Sequence, residues 1–210
     1  MLNKTESLKP DAFYHIYSRA NGNEALFVSD GNYRFFLEKY KLYIQPVANT
    51  YCYCLMPNHF HFLVQIKDEQ ELLDFFKKQD SNSNPTGFEN LSGLISKQFS
   101  YFLNSYAKAF NKQQQRKGSL FMRPFKRKKI ISKKNLYNLI HYIHFNPIEA
   151  ELCKNPEDWQ YSSYSSLLSN SPTLLQREEV IKLFEDKDNF IFVHQQAIEE
   201  ENLKDLARKK

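Results

Sequence analysis

The stretch from Thr50 to Ile66 reads TYCYCLMPNHFHFLVQI. Its density of aromatic and β-branched residues favours extended backbone, and Pro57 would break any helix drawn through it by removing a backbone donor and clashing with the preceding turn. It reads as two strands, or one broken strand, with Pro57-Asn58 at the turn or bulge. The rest of the chain must supply this β-unit with partner strands and cover its apolar side.

The partners can be read on both sides. FYHIYS, from Phe13 to Ser18, is a strand followed by the turn residues Asn21-Gly22-Asn23. Tyr33, Phe36, Leu37 and Tyr40 recur at helical spacing after Ser29 and Asp30, either of which can cap the helix. A helix over Glu71 to Lys78 is expected next, then a loop between Gln79 and Leu91 carrying SNSNPTGFEN. Phe99, Phe102, Leu103, Tyr106 and Phe110 form the stripe of a long amphipathic helix ending towards Gly118. Lys126 to Ser132 is a candidate strand. Ser132 can cap a further helix with Leu136, Leu139, Ile140 and Ile143 on its apolar face. Pro147 restricts Asn146, so that helix should end or bend there.

The order strand, helix, two strands, helix, strand, helix implies an α+β sandwich with a largely antiparallel sheet covered by helices on one face. The length of 210 residues suits one domain over residues 1–170 with a C-terminal charged helical appendage over 171–210. With 41% hydrophobic residues, 18 Phe and 13 Tyr, a sizeable core can be buried. No apolar run approaches the roughly 18 residues needed to span a bilayer. The first residues lack the layout of a secretory signal, and three cysteines are too few for a disulfide framework, so a cytoplasmic protein is expected.

The net charge is +5, but its distribution says more. Nine Lys or Arg residues and no acid lie between Lys108 and Lys129, which leaves about −4 for the remainder. Such a segment suits phosphate oxygens, although a lysine-rich solvated face has the same composition. Phe110, Phe121 and Phe125 within it can stack on bases or anchor it to the core.

Two short patterns carry chemistry. In His59-Phe60-His61 strand alternation points both imidazoles to one face and Phe60 to the other, which is half of a divalent metal site or a satisfied structural pair. Tyr142 and Asn146 are i and i+4, so on a helix the phenol and the amide share a face. A phenol beside a cationic site can be a nucleophile, and an amide oxygen can complete a metal's ligand shell. Most tyrosines are half-buried core residues instead.

Together these blocks resemble a known family. HFHFLV after Met56-Pro57-Asn58 resembles the histidine–hydrophobe–histidine motif of the single-tyrosine HUH transposases, and the chain looks most like the branch associated with repetitive extragenic palindromes (REP). The likeness runs from Phe13 to about Tyr164 through FYHIYSRANGNEALF, LMPNHFHFLV, GSLFMRPFK, HYIHFNPIEAELCKNP and WQYSSY. The resemblance implies a ferredoxin-like fold and a metal-dependent enzyme that cleaves and rejoins single-stranded or hairpin DNA through a 5′-phosphotyrosine. It implies Mg²⁺ or Mn²⁺ on His59, His61 and Asn146, with Tyr142 as nucleophile. Asn146 is shorter than the Gln common in relatives, and Ala20 stands where a glycine is common. The DNA-contact candidates are Lys108, Lys112, Arg116, Lys117, Arg123, Lys126, Arg127, Lys128 and Lys129. The resemblance fits a homodimer or a monomer in a bacterial cytoplasm, associated with the nucleoid while acting. Trp159, Tyr161 and Tyr164 are expected to pack rather than react.

Two rival readings remain at this level: a catalytically silent module that grips hairpin DNA, and a structural zinc site on Cys52, Cys54, His59 and His61.

Overall fold

A computed structural model describes residues 6–79 and 88–198, so the loop expected around SNSNPTGFEN lies largely outside the described residues. Strand β1 (Phe13–Arg19) leads to helix α1 (Asp30–Tyr43), and the Thr50–Ile66 region forms two strands, β2 (Ala48–Met56) and β3 (His59–Ile66), joined at Pro57-Asn58. Helices α2 (Glu69–Gln79) and α3 (Phe88–Gln113) follow, then β4 (Lys126–Ile130) and α4 (Lys133–Glu149). The C-terminal region adds a 3₁₀ turn (Pro156–Asp158) and helices α5 (Tyr164–Leu168), α6 (Arg177–Leu183) and α7 (Lys187–His194).

The sheet has the order β2-β3-β1-β4, with every neighbouring pair antiparallel. This is the split-βαβ arrangement of a ferredoxin-like fold, in which β3 separates the two strands that α1 connects. The expected α+β class and antiparallel sheet are therefore present.

Alternation along β3 sorts the molecule into two cores. Phe60, Phe62, Val64 and Ile66 face one way and meet Phe36 and Tyr40 of α1 and Phe99, Phe102 and Tyr106 of α3. The helical stripe Leu91, Ile95, Phe99, Phe102, Tyr106 and Phe110 is buried along α3, each large side chain contributing about 1.5–3 kcal/mol by leaving water. Leu63 faces the other way, with Cys52, Cys54, Met56 and Ile130, against Leu139, Ile140 and Ile143 of α4.

Two expectations are corrected here. Helices cover both faces of the sheet rather than one, because the apolar stripe of α4 needs a second apolar surface, and Cys52, Cys54 and Leu63 supply it. Helix α4 also continues through Pro147 to Glu149. A proline one turn from a helix end removes only one late backbone bond, and the Ala150 and Leu152 N–H groups still close on Asn146 O and Pro147 O at 3.0 and 2.8 Å. The start of α4 is as the sequence suggests, with Ser132 accepting from the Asn135 N–H.

Residues 171–198, expected as part of an appendage, contribute Val180, Phe184 and Phe190 to the second core. Gln176 donates its N–H to Thr50 O at 2.9 Å, and Leu175 bridges to Thr50 in parallel. Trp159 is held by an Nε1–H bond to Leu55 O, Tyr161 stacks on Tyr33, and Tyr164 is buried, so all three pack.

Candidate functional site

The register of the sheet composes the site. Across the face that carries α4, His61 lies between Cys54 on β2 and Tyr17 on β1, and Tyr17 in turn lies opposite Lys126 on β4. In the adjacent row His59 is flanked by Met56 and Arg19. In the row on the other side Leu63 is followed by His15 and Lys128. Residues directly opposite in an antiparallel pair share a face, so His15, Tyr17, Arg19, His59, His61, Lys126 and Lys128 are displayed together.

Helix α4 brings Tyr142 over this face. The Tyr142 ring stands edge-on to His61, with centroids 5.7 Å apart, and lies 6.4 Å from His15. The phenol is almost wholly buried. Burial pushes its pKa up to about 12, the Glu149 carboxylate acts in the same direction, and the Asn146 amide beside it opposes them. The hydroxyl is therefore neutral at physiological pH.

Both histidines have one ring nitrogen anchored. His59 Nδ1 lies 2.7 Å from Asn58 Oδ1, an acceptor, so its proton sits on Nδ1 and its lone pair on Nε2. His61 Nδ1 lies 2.8 Å from Nε2 of His15. Burial holds His61 well below its ordinary pKa and His15 at about 3, so both are neutral imidazoles, the form a metal requires. The rings of His59 and His61 are 5.1 Å apart and nearly perpendicular. Asn146, also buried, donates Nδ2 to the Tyr142 carbonyl at 2.6 Å, and its Oδ1 is the atom suited to a cation. Two imidazoles and an amide oxygen fit a divalent ion with open coordination positions.

Among the described residues no three His, Cys, Asp or Glu side chains converge to hold a metal. Cys52 and Cys54 lie on the same face as His61, but both are buried in the second core and do not converge with His59 and His61. The zinc reading therefore has no support in the geometry.

The basic segment divides by position. Lys126 and Lys128 are exposed on the site face, while Arg127 points to the opposite face, bonded to Ser96 Oγ at 2.7 Å and lying over Phe125. Arg116 is engaged with Glu24 and Asn111, and Arg123 with Asn104. The backbone N–H of Lys129 is bound by Glu6. Lys108, Lys112 and Lys117 are exposed on or just after the end of α3. Phe110 and Phe121 are buried and Phe125 stacks on Phe99, so these rings anchor the segment.

Sequence reasoning missed His15, Tyr17 and Arg19. Each lies in FYHIYSR and alternates with Tyr14, Ile16 and Ser18, a period-two signal that sets them on one face of β1 but not beside His61.

No family model matches the chain. It is 26% identical over 117 residues to a Haemophilus influenzae protein named as a REP-associated tyrosine transposase, a match covering 55% of this chain. The chain spans 58% of the length of that curated relative. Its fold matches the solved structure of a REP-associated tyrosine transposase bound to a REP hairpin, with a TM-score of 0.55 at 14% identity, over 82% of this chain and 88% of the other. The resemblance to the REP-associated tyrosine transposases, first carried by the order of the motifs, thus holds in sequence and in fold.

Proposed function

We propose that the chain is a metal-dependent DNA transposase that cleaves and rejoins single-stranded or hairpin DNA through a 5′-phosphotyrosine on Tyr142. The observation that carries this reading is the placement of Tyr142, from α4, edge-on to His61 of β3 at 5.7 Å. A merely structural tyrosine has no need of a face with two imidazoles, an arginine and two lysines.

His59 and His61 would hold Mg²⁺ or Mn²⁺ through Nε2, with Asn146 Oδ1 as third ligand. When bound, the ion supplies Lewis-acid stabilisation to a phosphate oxygen. Arg19, opposite His59, and Lys126 and Lys128, beside Tyr17 and His15, neutralise and align the DNA backbone around the scissile phosphate. The Tyr142 oxygen attacks phosphorus in line as its proton leaves. The bond from phosphorus to the 3′ oxygen breaks, and that oxygen takes up a proton to become a free 3′-hydroxyl. Because the tyrosyl phosphodiester keeps the energy of the original bond, a second 3′-hydroxyl can attack it and restore Tyr142 without ATP. The REP hairpin in the solved neighbour supports hairpin DNA as the substrate class.

A catalytically silent hairpin-binding module is the second reading. The two separate when labelled hairpin DNA is incubated with the protein and Mn²⁺ and the products are tested for a new 3′-hydroxyl that a polymerase extends. Extension supports the transposase, whereas salt-sensitive binding without a new 3′ end favours the binding module.

A further inference from the structure

The site face holds one buried imidazole to which the transesterification assigns no task, that of His15 on β1. In the β1–β3 register Tyr17 lies opposite His61 and His15 opposite Leu63, so His15 is the diagonal neighbour of His61 on the same face. The two rings are 5.0 Å apart and inclined by 23°. Nε2 of His15 and Nδ1 of His61 are 2.8 Å apart. The other nitrogen of His15, Nδ1, is buried and makes no hydrogen bond among the described residues.

Two imidazole nitrogens in hydrogen-bond contact hold one proton between them, which leaves two arrangements. If His15 donates, the remaining proton of His61 sits on Nε2, and neither His61 nitrogen has a lone pair to offer a cation. If His61 donates, its lone pair is on Nε2. His15 has no second anchor to dictate its own tautomer, so the pair can adopt whichever form His61 requires. His59 reaches the equivalent state through Asn58, whose side-chain oxygen accepts from Nδ1. The two metal-facing histidines are thus each oriented from behind, one by an amide oxygen and one by a second imidazole.

We propose that His15 is a positioning residue for the metal site: it accepts the Nδ1–H of His61 and thereby holds the lone pair of His61 on Nε2. The proposal rests on the reading of His59 and His61 as metal ligands. It makes the first strand part of the metal site although it supplies no ligand.

The test is Mn²⁺ affinity, measured on the full chain from the electron paramagnetic resonance signal of free Mn²⁺, with thermal unfolding of the metal-free protein as the control for folding. His15→Phe, which keeps a ring but removes the acceptor, is expected to weaken Mn²⁺ binding about 10–100-fold. His15→Gln, whose side-chain oxygen can accept the same N–H, restores most of the affinity. Long-range proton–nitrogen NMR on the wild type, independent of either variant's folding, should find the His61 proton on Nδ1 once Mg²⁺ is titrated in. A folded His15→Phe that binds Mn²⁺ as tightly as wild type, or a His61 proton on Nε2 with metal present, overturns the positioning role alone. A wild type that binds no Mn²⁺, or a His59→Ala that binds it equally well, overturns the ligand assignment and the positioning role together.

Discussion

Tyr142 of α4 and His61 of β3 meet edge to face with ring centroids 5.7 Å apart, on the one face of the sheet where both imidazoles of His59-Phe60-His61 are displayed. Their proximity depends on α4 packing over the sheet face opposite α1 and α3. The phenol is held neutral by burial, so the proposed attack would depend on charge brought close to the phosphate rather than on a lowered pKa.

Metal binding should follow the two strand histidines. His59→Ala and His61→Ala are each expected to weaken Mn²⁺ binding by more than about 100-fold, exceeding the effect of an orienting partner. His59 is only partly buried, so His59→Ala should change stability by no more than about 0.5 kcal/mol. Calorimetric titration with Mn²⁺ and urea unfolding of the same samples check both statements. Unchanged affinity in both variants would place the metal elsewhere.

DNA binding should depend on which side of β4 a cation occupies. Lys126 and Lys128 face the site, whereas Arg127 is tied to Ser96 and Phe125. Each lysine that neutralises one phosphate of a single strand adds about 0.7 to the slope of log K against log salt. Replacing Lys126 and Lys128 together by Ala should therefore reduce that slope by about 1.4. Arg127→Ala should leave it near wild type and lower the unfolding midpoint instead. Fluorescence anisotropy with a labelled hairpin across a salt series distinguishes them, and equal slopes in all three proteins would remove β4 from the interface.

Stability should fall in mild acid because several buried histidines are held neutral, among them a cluster packed on Tyr164, Phe184 and Phe190. His144 Nδ1 lies 2.9 Å from His194 Nε2, His144 Nε2 lies 2.8 Å from Ser163 Oγ, and His194 Nδ1 lies 2.7 Å from Phe190 O. His194 donates from Nδ1 to the Phe190 carbonyl and accepts at Nε2 from His144, so the bond between the two rings requires a neutral His194. Burial lowers His194 to about 3, His141 to about 4 and His144 well below its ordinary value. The unfolded chain takes up these protons near pH 6.5 and the folded chain does not, so the stabilisation is full above about pH 6.5 and is lost progressively as the pH falls towards 4 and 3. Between pH 6.5 and 5 the loss is on the order of 1–2 kcal/mol each for His194 and His141. Urea unfolding at the two pH values should show it, and His194→Phe should have a shallower dependence. A wild-type stability that is flat over this range would contradict the neutral assignment.

Much of this was legible in the sequence because local periodicity determines it. Strand alternation set His59 and His61 on one face, helical spacing paired Tyr142 with Asn146, and Ser132 marked the start of α4. What depends on register was not legible. His15 becomes the partner of His61 only because Tyr17, and not Ile16 or Ser18, lies opposite His61. A one-residue slip would have turned His15 into the α1–α3 core. The division of β4 into site-facing Lys126 and Lys128 and core-facing Arg127 has the same origin. The continuation of α4 past Pro147 was missed for a different reason: a helix packed along its length tolerates one absent N–H near its end.

If the site works as proposed, Tyr142 becomes covalently joined to DNA. Labelled hairpin oligonucleotides incubated with the protein and Mn²⁺ should give a denaturant-resistant protein–DNA band, and peptide mass spectrometry should locate the phosphodiester on Tyr142. The band should be absent with a chelator and absent in Tyr142→Phe, while that variant still binds the hairpin. A band that persists in Tyr142→Phe, or an adduct mapped to another residue, would rule out Tyr142 as the nucleophile.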